Sequence, residues 1–528
     1  MRIDAGQTNR HACARGITPL LLVLAIFLPI LPQTALAAPD PSSQQLYALT
    51  EAGANNKFSN FVDGYSLLVA KSLDVDMTNS AIRAVLADET QRIEIYKQDV
   101  GNLGKASYIA YSNTFLDNSA DHRKQYDGSR KIGSRTVTVT AWYRDPLARV
   151  ENDKSHYLCL EIPSGRYVYT IFIKSSAPIY PSGGYEDLVK SFATFSPSAS
   201  GTVRAASQVD VANRAWNEDA KAYYQQTFSD EASLVWGIYE PVVNWGSYVN
   251  IEHYEEAFGY RFPIVMNYSD VATDPGHRHL RWRLDNAWAR GKVLELTFQT
   301  NHTKGEGNMV YSILNGEYDE FLIGYARIVA DFGHPVLFRP FNEMNGDWCP
   351  YSAYHTSKDT EIYKALYRYV YQLFLEAEAD NVIWVWNPNG KSYPGFKWND
   401  ELMYYPGDQY VDVVGLTAYN TGTFYNRYGE KWRTFKELYD ELYTRYDLLF
   451  GQPLMITEFA SASMGGDKEE WVESMFADIR LYDRIKIAVW WDACDYDAYG
   501  YVSRSYIMDE SPGLMEIFAH HLSGRADE

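Results

Sequence analysis

Residues 335–348 read PVLFRPFNEMNGDW, and residues 453–460 read PLMITEFA. Each is a short, unbroken apolar run that leads into a glutamate, Glu343 in the first and Glu458 in the second. Continuous rather than alternating apolarity is the pattern of a strand buried on both faces of a parallel sheet. Six more runs of this kind surround the two, at 234–239, 262–269, 292–299, 381–389, 411–419 and 485–493. Amphipathic stretches lie between them. Ile362, Leu366, Val370 and Phe374 share one helical face, with Thr356 and Asp359 expected to form a capping box ahead of them. Asp467 is expected to cap a helix that carries Trp471, Met475 and Ile479 on one side. Eight strand–helix units in about 300 residues is the arithmetic of a (β/α)8 TIM barrel. The barrel is assigned to residues 229–528.

The chain upstream has a different rhythm. Residues 92–98, 135–144, 156–162 and 167–175 alternate apolar and polar positions and are rich in β-branched and aromatic residues. They predict a β-sandwich-like N-terminal domain over residues 38–200, with one helix near 80–89. Its role is open between polysaccharide binding, through aromatics such as Trp142 or Tyr143, and a structural partnership with the barrel. Residues 195–208 are rich in Ser, Ala and Gly and read as a linker or boundary. The unit 201–228 is taken as linker plus helix, with the helix near 211–226.

Residues 1–37 have the layout of a signal peptide. Arg2, Arg10 and Arg15 precede an apolar stretch at 20–31, and Ala35-Leu36-Ala37 fits a cleavage site. The apolar stretch is about 12 residues, against the roughly 20 that a spanning helix needs. The expectation is a product that is secreted or held at the cell surface or in the periplasm, with no membrane span after cleavage.

Lys and Arg total 48 against 68 Asp and Glu, a net charge of −20. Such a balance excludes a phosphate-backbone partner, which requires clustered cations. The 43 Tyr and 14 Trp suit either sugar stacking or core packing, and composition alone does not separate the two. Beyond the leader stand Cys159, Cys349 and Cys494. An odd number leaves at least one thiol outside any intramolecular bridge, Cys349–Cys494 being the candidate pair. Their spacing does not suggest zinc.

A TIM barrel builds its site at the C-terminal ends of its strands. Glu343 after the fourth run and Glu458 in the seventh would therefore meet across one mouth. Glycoside hydrolysis needs such a pair, one group to protonate the leaving oxygen and one to attack or to activate water. Glu240, Asp270 and Asp492 also close apolar runs and compete on position alone.

The stretches FRPFNEMNGDW (338–348), VIWVWNPN (382–389) and PLMITEFA together resemble glycoside hydrolase family 26, a family of the retaining (β/α)8 clan A. The resemblance covers roughly residues 230–525. It implies that Glu343 is the acid/base and Glu458 the nucleophile. It further implies that Tyr419 hydrogen-bonds the nucleophile and that Trp490 or Trp491 supplies a sugar platform, Trp490 fitting the family pattern better. Trp348 and Trp386 are further stacking candidates, with core packing the alternative for each. Arg339 is either a residue that orients the site or half of a buried ion pair. Family mannanases carry His before the acid/base, and this chain has Asn342. Asn is usual there elsewhere in the clan, where it holds the sugar 2-hydroxyl, so the swap favours a β-glucan over β-mannan. The chain also resembles exported proteins of exopolysaccharide systems.

The resulting expectation is an endo-β-glycosidase acting by double displacement on a β-1,4-mannan, a β-1,3-1,4- or β-1,4-glucan, or a bacterial exopolysaccharide. It needs no metal or organic cofactor, works as a monomer and binds no nucleic acid. The alternatives are a non-catalytic polysaccharide-binding or assembly protein, and a transglycosylase with the same catalytic residues.

Overall fold

A computed structural model describes residues 45–180, 185–272, 274, 277–300, 307–497 and 499–523. The expected leader lies outside the described residues. The barrel closes from eight parallel strands in sequential order. They are β1 (Val235–Tyr239), β2 (Ile264–Asp270), β3 (Val293–Gln299), β4 (Val336–Pro340), β5 (Val382–Trp386), β6 (Val413–Asn420), β7 (Leu454–Ser461) and β8 (Ile485–Trp491). Each of the eight apolar runs forms one strand. The ring shuts where β1 pairs with β8, Val235 opposite Ile487 and Tyr239 opposite Trp491. The pairings of β6 with β7 and of β7 with β8 both carry irregularities, at Leu416/Thr417 and between Ile456 and Phe459, so the register shifts around Glu458.

The helix after β4 is Thr360–Glu376, and it buries Ile362, Leu366, Val370 and Phe374. Its cap is Asp359, whose side chain accepts from the Glu361 amide. Thr356 takes no part in that cap: its hydroxyl donates to the Ser352 carbonyl instead. Asp467 caps the helix Lys468–Asp478 as expected, accepting from the Glu470 amide.

Ahead of the barrel stand a four-stranded and a seven-stranded sheet, both antiparallel. Phe58, Leu67 and Val69 from the first share one buried cluster with Ile93, Val137, Leu160 and Ile171 from the second. Alternate residues of the seven-stranded sheet face the other way, where Trp142 stacks on Tyr157 and Phe172. Trp142 is fully buried there and offers no platform to a glycan. The helix expected near 80–89 is instead a strand, Ala84–Ala87, paired antiparallel with Gln91–Asp99. The turn chemistry decides it: the Asp88 carboxylate accepts from the amides of Thr90 and Gln91 and so makes a hairpin.

The Ser/Ala/Gly-rich segment does not hang free. The Ala206 amide donates to the Leu449 carbonyl, and the Gly451 amide donates to the Ala206 carbonyl. The helix that follows is Glu218–Phe228, preceded by a short 3-10 turn at Val211–Asn213.

The far face of the seven-stranded sheet packs on the segment between β4 and its helix. Asp359 accepts from Lys174 Nζ at 2.6 Å and from the Tyr157 hydroxyl at 3.1 Å. Lys358 Nζ donates to Asn113 Oδ1 at 3.2 Å and faces Glu161 at 3.7 Å. Arg83 pairs with Glu94 at 3.0 Å and reaches Glu361 at 3.4 Å. The Tyr111 hydroxyl donates to Asp347, and Trp398 Nε1 donates to Ser112 Oγ at 3.0 Å. Buried charges are tolerated only when paired and hydrogen-bonded in this way. Among the described residues no helix is long and apolar enough to cross a membrane.

Candidate active site

Glu343 sits just past β4, in a turn where both it and Phe341 have left-handed backbones, φ 55° and 54°. Non-glycine residues reach this region only where surroundings hold them, and they gather at working sites. Here the Glu343 amide donates to the Asn387 carbonyl at 2.7 Å, tying the turn to the end of β5. Asn345 and Asn389 lock the two loops further. Asn345 Nδ2 donates to the Asn389 carbonyl, and the Asn389 amide donates to Asn345 Oδ1.

The Glu343 carboxyl is thereby presented to two donors. Asn389 Nδ2 donates to Oε1, and Trp348 Nε1 donates to Oε2 at 3.2 Å. The indole folds over Gly346, where a Cβ would fall 2.5 Å from the ring, so only glycine fits. Burial raises the Glu343 pKa to about 7, the negative charge of Glu458 adds to the rise, and the two hydrogen bonds oppose it.

Glu458 lies in β7 in the opposite setting. Its Oε2 accepts from Arg339 Nη2 at 2.8 Å and from the Tyr268 hydroxyl at 2.7 Å. Arg339, in β4, is fully buried. It also donates to Thr297 Oγ1 and Asn387 Oδ1 and lies 2.9 Å from Glu295. It is thus both a buried ion-pair partner and a group in direct contact with the proposed nucleophile. Burial pushes the Glu295 carboxyl up to about 8, against the pull of Arg339.

Three expectations are corrected. The hydrogen bond to Glu458 comes from Tyr268 at the end of β2 and not from Tyr419. The Tyr419 ring, at the end of β6, packs against Trp491 and Tyr506. The β8 tryptophans divide the other way from the resemblance. Trp490 is 1% exposed and packs outward on Phe459, Trp471 and Phe518. Trp491 faces the mouth, stacked on Tyr239 and edge-on to Tyr419. Trp386 is fully buried against Tyr405 and Phe450, so it is a core residue. Successive strand residues face opposite sides, and which of two adjacent indoles turns inward depends on a register that the pairing sets.

Asn342 is buried beside Glu343, its Oδ1 accepting from Gln299 Nε2 at 2.8 Å. Of the competing carboxylates, Glu240 accepts from the Val242 amide and from Asn250, and Asp492 accepts from the Met508 amide. Both serve local backbone structure. Cys159, Cys349 and Cys494 are all free thiols. The sequence reading missed Tyr268, Asn389 and Glu295. A signal existed for Glu295, the one charge in the strand stretch 293–299.

The mouth of the closed barrel thus holds two carboxyl groups in contrasting settings, Glu343 buried with its pKa raised and Glu458 bonded to Arg339 and Tyr268. Residues 216–440 match the family model described as Glycosyl hydrolase family 26. The chain is 31% identical over 258 residues to Endoglucanase H of Acetivibrio thermocellus, covering 46% of this chain and 26% of that protein. It is 41% identical over 92 residues to a Mannan endo-1,4-beta-mannosidase of Bacillus subtilis, covering 16% of this chain and 24% of that one. The alignments thus span about a quarter of the length of these relatives. The solved catalytic domain of an endo-beta-1,4-mannanase from Bacillus sp. JAMB-750 matches at 20% identity and a TM-score of 0.45, over 60% of this chain and 93% of that one.

Proposed function

We propose that the protein is an endo-β-glycosidase that cleaves a β-linked polysaccharide by double displacement. The observation that carries this reading is the contrast between two carboxyl groups in one mouth. Burial raises the Glu343 carboxyl to about 7, while Glu458 accepts hydrogen bonds from Arg339 and Tyr268.

Glu343 gives its proton to the glycosidic oxygen as the bond to the anomeric carbon breaks. Glu458 forms the new bond to that carbon, giving a glycosyl ester. Esterification removes the charge on Glu458, which is the second cause of the raised Glu343 pKa. The Glu343 carboxylate is then the stable form and takes a proton from the incoming water. That water attacks the anomeric carbon, the ester bond breaks, and both carboxyls return to their starting states.

For the substrate, β-1,4- or β-1,3-1,4-glucan is favoured over β-1,4-mannan. Two observations support this: Asn342 precedes the acid/base, and the longer of the two alignments is with an endoglucanase. The leader pattern in residues 1–37 supports export, and a polymeric substrate is consistent with work outside the cytoplasm. The test is product analysis on mixed-linkage β-glucan, cellulose, mannan and β-xylan, with Glu458→Ala as control. Oligosaccharides from a glucan, absent with the variant and first released as the β-anomer, are the expected result. Cleavage of none of the four polymers overturns the reading.

A further inference from the structure

The mouth of the barrel carries an aromatic pair that the two carboxyl groups do not use. Trp245 ends the 3-10 turn Pro241–Trp245 directly after β1, and Trp282 lies in the first turn of the helix Leu280–Trp288 that follows β2. Both segments leave from the strand ends that hold the site, so both indoles lie on its rim. Trp245 is 65% exposed and Trp282 48% exposed. An indole is among the largest apolar groups a chain can bury, and two left open on adjoining segments mark a surface made for contact.

The pair is built rather than incidental. Gly246 follows Trp245 with φ 74°, and a Cβ there would fall 1.7 Å from Trp282 Cζ3. The Trp282 ring therefore lies on bare backbone beside Trp245. Asn286 Nδ2, one turn further along the same helix, donates to the Gly246 carbonyl at 2.8 Å and fixes the turn against that helix. On the other side Asn244 fastens the turn to the site. Its Nδ2 donates to the Tyr239 hydroxyl at 3.0 Å, and its Oδ1 accepts from the Tyr268 amide at 2.9 Å. Tyr268 in turn donates to Glu458. A continuous line of contacts runs from the carboxylate through Tyr268 and Asn244 to Trp245.

We propose that Trp245 and Trp282 form an outer subsite that stacks a sugar ring of the polysaccharide chain on its glycone side. The inference rests on the glycosidase reading. The leaving portion departs past Glu343, on the side of Trp348 and Asn389. The portion that Glu458 captures must extend away from them, toward the loops after β8, β1 and β2. Flat apolar faces bind the C–H faces of an uncharged ring, and a chain of net charge −20 disfavours a polyanion. The occupant is thus a neutral β-linked glycan that already has two units on the glycone side of the cleaved bond, so the pair lies beyond the reach of an aryl disaccharide.

The test compares the wild type with Trp245→Ala, Trp282→Ala and the double variant. Hydrolysis is measured on mixed-linkage β-glucan and mannan and on aryl β-cellobioside and aryl β-mannobioside. Native gels containing either polymer report binding without catalysis, with Glu458→Ala as background. The expected result is a fall of about tenfold or more in kcat/KM on the cleaved polymer. Activity on the aryl disaccharide stays within about twofold, and retardation in the gel weakens. Unchanged polymer kinetics and unchanged retardation in the double variant overturn the subsite. A wild type that cleaves no polymer but is retarded through these tryptophans keeps the subsite and removes the glycosidase reading. Absence of retardation in every gel overturns the subsite. Sedimentation covers the remaining occupant: a wild-type dimer that the double variant abolishes, with unchanged polymer kinetics, assigns the face to a second copy of the chain and overturns the proposal.

Discussion

Tyr268 and Glu458 are joined by a 2.7 Å hydrogen bond from the phenol to Oε2, the same oxygen that accepts from Arg339 at 2.8 Å. One carboxylate oxygen thus carries both stabilising donors. A hydrogen bond to a charged group contributes about 1.5–3 kcal/mol. Tyr268→Phe is therefore expected to lower kcat/KM by about tenfold to a hundredfold. Tyr419→Phe, which lacks that bond, is expected to cost less. Steady-state kinetics on the two variants check this, and a larger loss at Tyr419 would contradict the geometry.

The raised pKa of Glu343 has a definite sign. The group is protonated below about 7, so the proton-donating step fades as pH rises through about 7. Part of the rise comes from the charge on Glu458. In Glu458→Gln the midpoint of Glu343, followed by carbon NMR of labelled glutamate, is expected to move to lower pH. A midpoint that does not move would show that burial alone sets it.

The same shift is linked to stability. A carboxyl whose folded pKa is raised contributes stability that is complete below its unfolded value, near 4.5, and lost as pH rises through about 7. Glu343→Gln has no proton to lose. It is expected to melt above the wild type at pH 8.5, with the gap closing toward pH 4. Differential scanning calorimetry across that range reads it directly.

Trp490 and Trp491 are neighbours with opposite duties. Removing a large buried side chain costs roughly 3–5 kcal/mol. Trp490→Ala is expected to lose that much in chemical denaturation. Trp491→Ala is expected to keep most of its stability and lose activity. The reverse pattern would place Trp490 in the mouth and Trp491 in the core.

The contact between the N-terminal sheets and the barrel runs through buried charges. Lys174 bonds both Glu94 and Asp359. Lys174→Ala leaves two buried carboxylates short of a cation, a change that typically costs about 3–5 kcal/mol. Because Asp359 caps the helix after β4, the loss is expected to loosen the segment that carries Trp348. Hydrogen exchange at residues 343–361 should rise in the variant.

Much of this protein was legible in the order of its residues. Eight apolar runs closed by polar residues can be satisfied only by strands buried on both faces, and the barrel follows. Glu343 and Glu458 stood out because each is a charge placed where such a run ends. The strands 135–143, 156–164 and 167–175 were legible from alternation for the same reason: burial on a sheet repeats every second residue. What the order of residues did not determine is which way a side chain turns and what it meets. The Trp490 and Trp491 faces depend on the shifted pairing of β7 with β8. The partner of Glu458 is a tyrosine 190 positions earlier in the chain, brought near only by closure of the ring. The far face of the seven-stranded sheet carries Glu94, Glu161 and Lys174 and reads locally as solvent-facing; docking on the barrel buries it. Periodicity records whether a residue is buried, because burial is a local demand on each position. Which groups share that buried space is fixed by three-dimensional packing, where residues far apart in the chain compete for the same hydrogen bonds.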